Sequence, residues 1–135
     1  MEMPDEKQQE IMYKMQVFEQ QMQQVQQQLQ MIEQGKVELN DMSKAIEDLK
    51  GKTGKEIMAP IGRGIYVKAK LVSEDLTVDI GGKKFVKKDI DQTKETIAKQ
   101  LEKLDEVNKQ LDKTLEDLNK EVMELFSEVE GVKSQ

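Results

Sequence analysis

Two long stretches of the chain place apolar residues at alternating intervals of three and four. In the first, Ile11, Met15, Phe18, Met22, Val25, Leu29 and Ile32 recur with spacings of 4, 3, 4, 3, 4 and 3. An average near 3.5 residues is the a/d seam of a coiled-coil helix. After Ile32 the next apolar positions are Leu39, Met42, Ile46 and Leu49, an interval of seven followed by one of three. That spacing reads as a three-residue slip of phase, a stammer, near Gly35 and Lys36. It predicts a flexible point there, since glycine weakens a helix by about 1 kcal/mol relative to alanine. Lys50 followed by Gly51 predicts the end of this helix. In the second stretch Ile90, Ile97, Leu101, Leu104, Leu111, Leu115, Leu118, Val122, Leu125, Val129 and Val132 fit one unbroken frame. Lys94 and Asn108 occupy two of its seam positions, where a polar residue lowers stability but specifies register. Asp89 with Gln92 three residues on is a capping-box variant that opens the helix.

Between the two helices the period changes from 3.5 to 2. Residues 56–61 are apolar around Pro60, which belongs at a strand end or an edge. Gly62-Arg63-Gly64 predicts a turn. Ile65, Val67, Ala69 and Leu71 then alternate with polar residues on one face of a strand. Leu76, Val78 and Ile80 alternate again. Gly81-Gly82 predicts a hairpin turn, and residues 83–87 form a fourth strand centred on Phe85. The middle is therefore two consecutive β-hairpins. Each should carry one apolar face and two open edges. Two-stranded hairpins are marginal alone, and open apolar edges associate. Assembly with other chains into a shared sheet or closed barrel follows from this. Ile57, Ile61, Ile65, Val67, Ala69, Leu71, Leu76, Val78, Ile80 and Phe85 are its candidate contact residues.

The fold class is thus α+β. Its predicted form is a long antiparallel coiled-coil hairpin of two helices, connected by two β-hairpins that join an oligomeric β-barrel body. One domain spans 1–135, with a helix over 5–50, the hairpins over 51–88 and a helix over 89–132. The sequence leaves open a second arrangement, in which each helical arm pairs with another chain.

Charge follows the same division. Residues 1–50 hold 5 Lys against 10 acidic residues, residues 51–88 hold 9 basic against 4 acidic, and residues 89–135 hold 7 Lys against 13 acidic. The net values are −5, +5 and −6, so two acidic arms flank a basic middle. The chain has no Cys and no His. Zinc fingers, thiol nucleophiles, disulfide frameworks and imidazole bases are excluded. The serines have no base to activate them, and the carboxylates fall on solvated coil faces, so no enzyme is expected. Neither glycine pair is a phosphate loop, because a following Lys-Ser/Thr and a helix start are lacking. The basic middle holds Tyr66 and Phe85 as its only aromatics and carries no nucleic-acid motif. No apolar run approaches the roughly 18 residues of a membrane span. No cofactor or metal is expected, and the location expected is the cytoplasm.

The stretch Glu56-Ile57-Met58-Ala59-Pro60-Ile61-Gly62-Arg63-Gly64-Ile65-Tyr66-Val67-Lys68-Ala69-Lys70-Leu71 resembles the central signature of the α class of the prefoldin family. So does Val78-Asp79-Ile80-Gly81-Gly82-Lys83-Lys84-Phe85-Val86. The helix, two hairpins, helix layout covers essentially the whole chain, and the second hairpin favours the α class over the β class. The short tail resembles archaeal members. The resemblance implies an ATP-independent chaperone, a hexamer of two α and four β subunits with a double β-barrel body and six coiled-coil tentacles. The tips of the tentacles would hold unfolded polypeptides and pass them to a group II chaperonin. The chain's two ends would form such a tip, and the candidate client-binding residues are Ile11, Met12, Met15, Phe18, Val122, Leu125, Phe126, Val129 and Val132. Met12, Val17 and Phe126 stand off the seam, and Met12 and Phe126 have less packing reason to be apolar. The alternative is a structural subunit that polymerises into filaments through hairpin edges that do not close.

Overall fold

The structure, a computed structural model, describes residues 6–133, with side chains through residue 130. Its elements run α1 (Glu6–Glu47), β1 (Glu56–Gly62), β2 (Ile65–Lys70), β3 (Leu76–Gly81), β4 (Lys84–Lys88) and α2 (Ile90–Lys133). They fall into two compact units. The first joins the chain up to Gly35 with the chain from Leu104 onward, and the second is Lys36–Lys103.

In the first unit the two helices pair antiparallel within the chain. Tyr13, Lys14, Val17 and Phe18 of α1 line one shared groove with Glu121, Glu124, Leu125 and Glu128 of α2. A methyl group placed on Gly35 would lie 3.6 Å from Leu104 Cδ1. Residue numbers therefore rise along one helix as they fall along the other. Ile11, Val25, Leu118 and Leu125 are buried. Met15, Phe18, Met22, Leu29 and Ile32 on α1 are half-buried, as are Leu104, Asn108, Leu111, Leu115, Val122 and Val129 on α2. These are the seam positions read from the sequence, Asn108 included. The seam is one side chain thick. Among the described residues no side chain is less than 2% exposed.

In the second unit the heptad frame differs from the sequence reading. The protected positions of α1 are Lys36, Leu39, Ser43, Ile46 and Leu49. From Ile32 to Ile46 that is a continuation by 4, 3, 4 and 3, so there is no stammer near Gly35, and Leu49 follows three residues on in the turn beyond the helix. Helix α1 passes through Gly35 without a break. Two polar residues, Lys36 and Ser43, hold seam positions, and Met42 stays 50% exposed. Met42 is apolar for a different reason. It lines a cleft with Leu76 and Val78 of β3 and Ile97 of α2, so its partner is a hairpin. On α2, Ile90 and Ile97 are buried and Lys94 is half-buried in the seam, as expected.

The helix ends carry their own chemistry. The α-helical part of α1 stops at Glu47, three residues before the expected Lys50. The turn then tightens, with Leu49 N–H donating to Ile46 O at 3.1 Å and Lys50 N–H to Glu47 O at 3.1 Å. Gly51, at φ +74°, ends it in the left-handed region that glycine tolerates. Helix α2 starts with the predicted reciprocal cap. Gln92 N–H donates to Asp89 Oδ1 at 2.7 Å, and Asp89 N–H donates to Gln92 Oε1 at 3.2 Å. Four charges tie these two ends together. Lys94 Nζ lies 2.6 Å from Glu47 Oε2, and Lys50 Nζ lies 2.8 Å from Asp91 Oδ1 and 3.3 Å from Glu47 Oε2. The polar seam residue Lys94 thus finds its counter-charge on the opposite helix. The Lys94 hydrogen bond holds the Glu47 carboxyl below its usual range, and that of Lys50 does the same for Asp91. The Lys50 ammonium is held above its usual range, chiefly by its bond to Asp91.

The hairpins share one construction. β1 pairs antiparallel with β2, and β3 with β4, as two separate two-stranded sheets. Each turn has two consecutive central residues at positive φ, Arg63 and Gly64 at +50° and +79°, Gly82 and Lys83 at +61° and +62°. This is the I′ geometry that matches strand twist. The second turn is therefore centred on Gly82-Lys83 rather than Gly81-Gly82, and β4 begins at Lys84. Each hairpin slips register just before its turn, between Pro60 and Gly62 and between Asp79 and Gly81. The extra residues are Ile61 and Ile80, both exposed. The strand end after β2 is tied back by Gly54 N–H donating to Leu71 O at 2.7 Å and Leu71 N–H to Lys55 O at 3.1 Å.

Two outcomes follow. Gly35→Ala should raise stability by about 1 kcal/mol, because alanine favours helix and its methyl meets Leu104 at ordinary contact distance. Denaturant unfolding measures this, and a loss of stability would contradict the packing at that point. The carboxylates of Glu47 and Asp91 titrate below their unfolded values, so their contribution is present above about pH 4 and fades as pH falls further. The raised Lys50 contributes below about pH 10 and loses that contribution as pH climbs through its folded value. Lys50→Met should therefore flatten the acid limb of a melting-temperature profile between pH 5 and 2, and 0.5 M salt should flatten the parent profile in the same way.

Candidate functional site

Two surfaces stand out, one in each unit. In the first unit the residues put forward for client contact separate by their helical phase. Ile11 and Leu125 sit deep in the seam at 4% and 5% exposure. Met15, Phe18, Val122 and Val129 are half-buried beside them. Met12 and Phe126 project outward, at 62% and 53% exposure. Val132 lies outside the described side chains. Tyr13 and Met123 are exposed as well. Sequence reading passed over both. Their signal was available, since neither position fits the seam frame and each neighbours an apolar residue in the chain. An open groove of about 400 Å³ runs between the helices here, lined by Tyr13, Lys14, Val17, Phe18, Glu121, Glu124, Leu125 and Glu128. Its floor is apolar and its rim is charged.

In the second unit apolar residues lie on both faces of each hairpin, where a single apolar face was expected. Residues paired across antiparallel strands share a face. On β1–β2 one face carries the pairs Ile57–Ala69 and Ala59–Val67, and the other carries Met58, Pro60 and Tyr66. On β3–β4 one face carries Leu76 and the pair Val78–Val86. Those three are half-buried, and Leu76 and Val78 line the cleft of about 360 Å³ against Met42, Ile46 and Ile97. Lys88 Nζ donates to Thr96 Oγ1 of α2 at 3.4 Å from the same side. Phe85 pairs with Asp79 on the opposite face and is 62% exposed. Sequence spacing does not single out Val86, because Phe85 next to it is read as the centre of the strand. Ile61, Ile65, Val67 and Ile80 are all exposed, whereas Ile57, Ala69 and Leu71 are half-buried. The outer edges of β1, β2, β3 and β4 pair with no other strand among the described residues. Apolar groups thus stand on both faces of these hairpins, and their edges are open.

The described residues hold no cluster of three or more His, Cys, Asp or Glu placed to bind a metal. Among them no helix is long and apolar enough to cross a membrane.

Comparison with known proteins bears on both surfaces. The family model described as "Prefoldin subunit" matches residues 18–135. A "Prefoldin subunit alpha" from Methanobrevibacter smithii is 32% identical over 102 residues, covering 75% of this chain and 70% of that protein. One from Methanosphaera stadtmanae is 24% identical over 92 residues, covering 68% and 67%. A chain of the filamentous PFD of Methanocaldococcus jannaschii, determined by cryo-EM, has the same fold with a TM-score of 0.73. The likeness covers 84% of this chain and 95% of that one at 16% identity. With the antiparallel helix pair, the two hairpins and these archaeal relatives in agreement, the chain belongs to the prefoldin family, as an α-class subunit.

Proposed function

We propose that this chain is a subunit of an ATP-independent holdase that captures unfolded polypeptides with its helix ends and hands them to a group II chaperonin. The observation that carries this is the set Met12, Tyr13, Met123 and Phe126. All four are exposed and the seam does not need them, and Tyr13 also lines the apolar groove. Methionine is flexible and polarizable and adapts to many sequences. Each such surface is small, so capture by one helix pair is weak and release is fast. Several pairs acting on one client multiply the effect through effective concentration. Nothing in this cycle uses a nucleotide.

Assembly supplies the several pairs. Membership of the family implies a multi-subunit complex. The hairpins, with apolar groups on both faces, join two α and four β subunits into a barrel body in the cytoplasm. Ile57, Ile61, Ile65, Val67, Ala69, Leu71, Leu76, Val78, Ile80 and Phe85 make or support those contacts. A second reading has its own support. The Methanocaldococcus jannaschii chain of the same fold belongs to a filamentous PFD, and open hairpin edges suit end-to-end growth.

Native mass spectrometry of the chain with a β-class partner separates the two. A discrete species with two copies of this chain and four of the partner is expected. A ladder of homopolymers that ignores the partner selects the filament. In the reconstituted complex, Met12→Ser with Phe126→Ser should raise severalfold the concentration needed to suppress aggregation of a denatured client. Helicity and complex mass should stay unchanged. Full suppression by the double variant would remove the helix ends from the capture role.

A further inference from the structure

The groove in the first unit is not neutral. Glu121, Glu124 and Glu128 line it from one face of α2, at successive turns of the helix. None of the three makes an ion pair among the described residues. The one cation on the rim, Lys14, has the Glu10 carboxylate of its own helix at 3.7 Å. The floor beneath is Val17, Phe18 and Leu125. From this geometry we infer that the groove selects client segments in which an apolar side chain stands next to Lys or Arg. The inference rests on the capture role proposed above and names the class of segment captured.

The dimensions agree with such a segment. Seven residues of helix rise about 10 Å from Glu121 to Glu128. In an extended chain, side chains two residues apart share a face and lie roughly 6.8 Å apart. An apolar side chain entering between the carboxylates therefore places a basic residue two positions away over one of them, on either side. At about 400 Å³ the groove is at the small end of ligand sites, suited to one or two side chains rather than a folded element. A client segment with Glu or Asp at those positions meets three like charges. That repulsion discriminates as strongly as the attraction does. The charges are exposed, so the preference shows in the rate of encounter and in its salt dependence more than in a large affinity.

The test uses the reconstituted complex and two fluorescent unstructured peptides. Both carry the same Phe and Leu residues, with Lys two residues away in one and Glu in the other. Polarisation at about 50 mM salt should show the Lys peptide bound about tenfold tighter, and 0.5 M salt should bring the two close together. The triple variant Glu121→Gln, Glu124→Gln, Glu128→Gln should remove most of the difference while leaving a Ser-flanked peptide bound as before. Because the partner subunits are identical in both complexes, the change belongs to this chain. Equal binding of the two peptides at low salt, or an unchanged preference in the triple variant, overturns the inference and leaves the capture role standing. Failure of the parent complex to bind any of the peptides or to suppress client aggregation overturns both.

Discussion

A seam one side chain thick is the constraint from which the rest of this structure follows. Two helices meeting along a heptad stripe bury one row of residues on each and nothing behind it. Ile11, Val25, Leu118 and Leu125 are protected, and every residue off that row stays near solvent. Such a pair has no deep core to draw on, so its stability is distributed along its length. The chain strengthens it locally. The Asp89–Gln92 cap organises the start of α2, and Glu47, Lys50, Asp91 and Lys94 clasp the two helices where they meet the hairpins. The same thinness makes function available. Any apolar residue one step out of phase, such as Met12 or Phe126, is automatically presented to the surroundings.

The hairpins face the same shortage in two dimensions. A two-stranded sheet cannot cover either of its faces. The β3–β4 pair finds cover for one face by lying against Met42, Ile46 and Ile97. Its other face, with Phe85, and the outward groups of β1–β2 have none within the chain. Other subunits, as proposed above, would supply the missing cover. The division of charge suits the arrangement, since a basic middle and acidic arms favour unlike contacts and disfavour arms from different subunits collapsing on each other.

Most of this was legible in the sequence where a single partner determined a residue's character. Every described seam position of α2 follows from spacing alone, because nothing but α1 competes for that stripe. The capping box was legible because it is complete within four residues. Legibility failed where a residue answers to a second partner. Met42 looked like seam because it is apolar and three residues from Leu39, yet it serves β3. Lys36 and Ser43 looked like a gap because seam positions are expected to be apolar. Phe85 masked Val86 because alternation does not say which of two neighbouring apolar residues faces inward. The exposed pair Tyr13 and Met123 went unnoticed because attention to periodicity passes over what breaks it. The clasp around Glu47 joins residues 47 positions apart in the chain, as Lys94 shows, and pairwise charge over that separation leaves no local mark.

The order in which the chain is made gives the antiparallel seam a temporal side. Helix α1 ends at Glu47, and the far end of α2, whose last turns pair with its beginning, is not complete until Lys133, 86 residues later (133 − 47). At typical synthesis rates of about 5–20 residues per second that is on the order of 4–17 s. Throughout that interval the apolar stripe from Ile11 to Val25 waits for its partner. The eight glutamines between Gln20 and Gln30 fall between and around the seam residues Met22, Val25 and Leu29, so that part of the stripe is set among polar side chains while it waits. A chain proposed to shelter unfinished polypeptides must itself first pass through that condition.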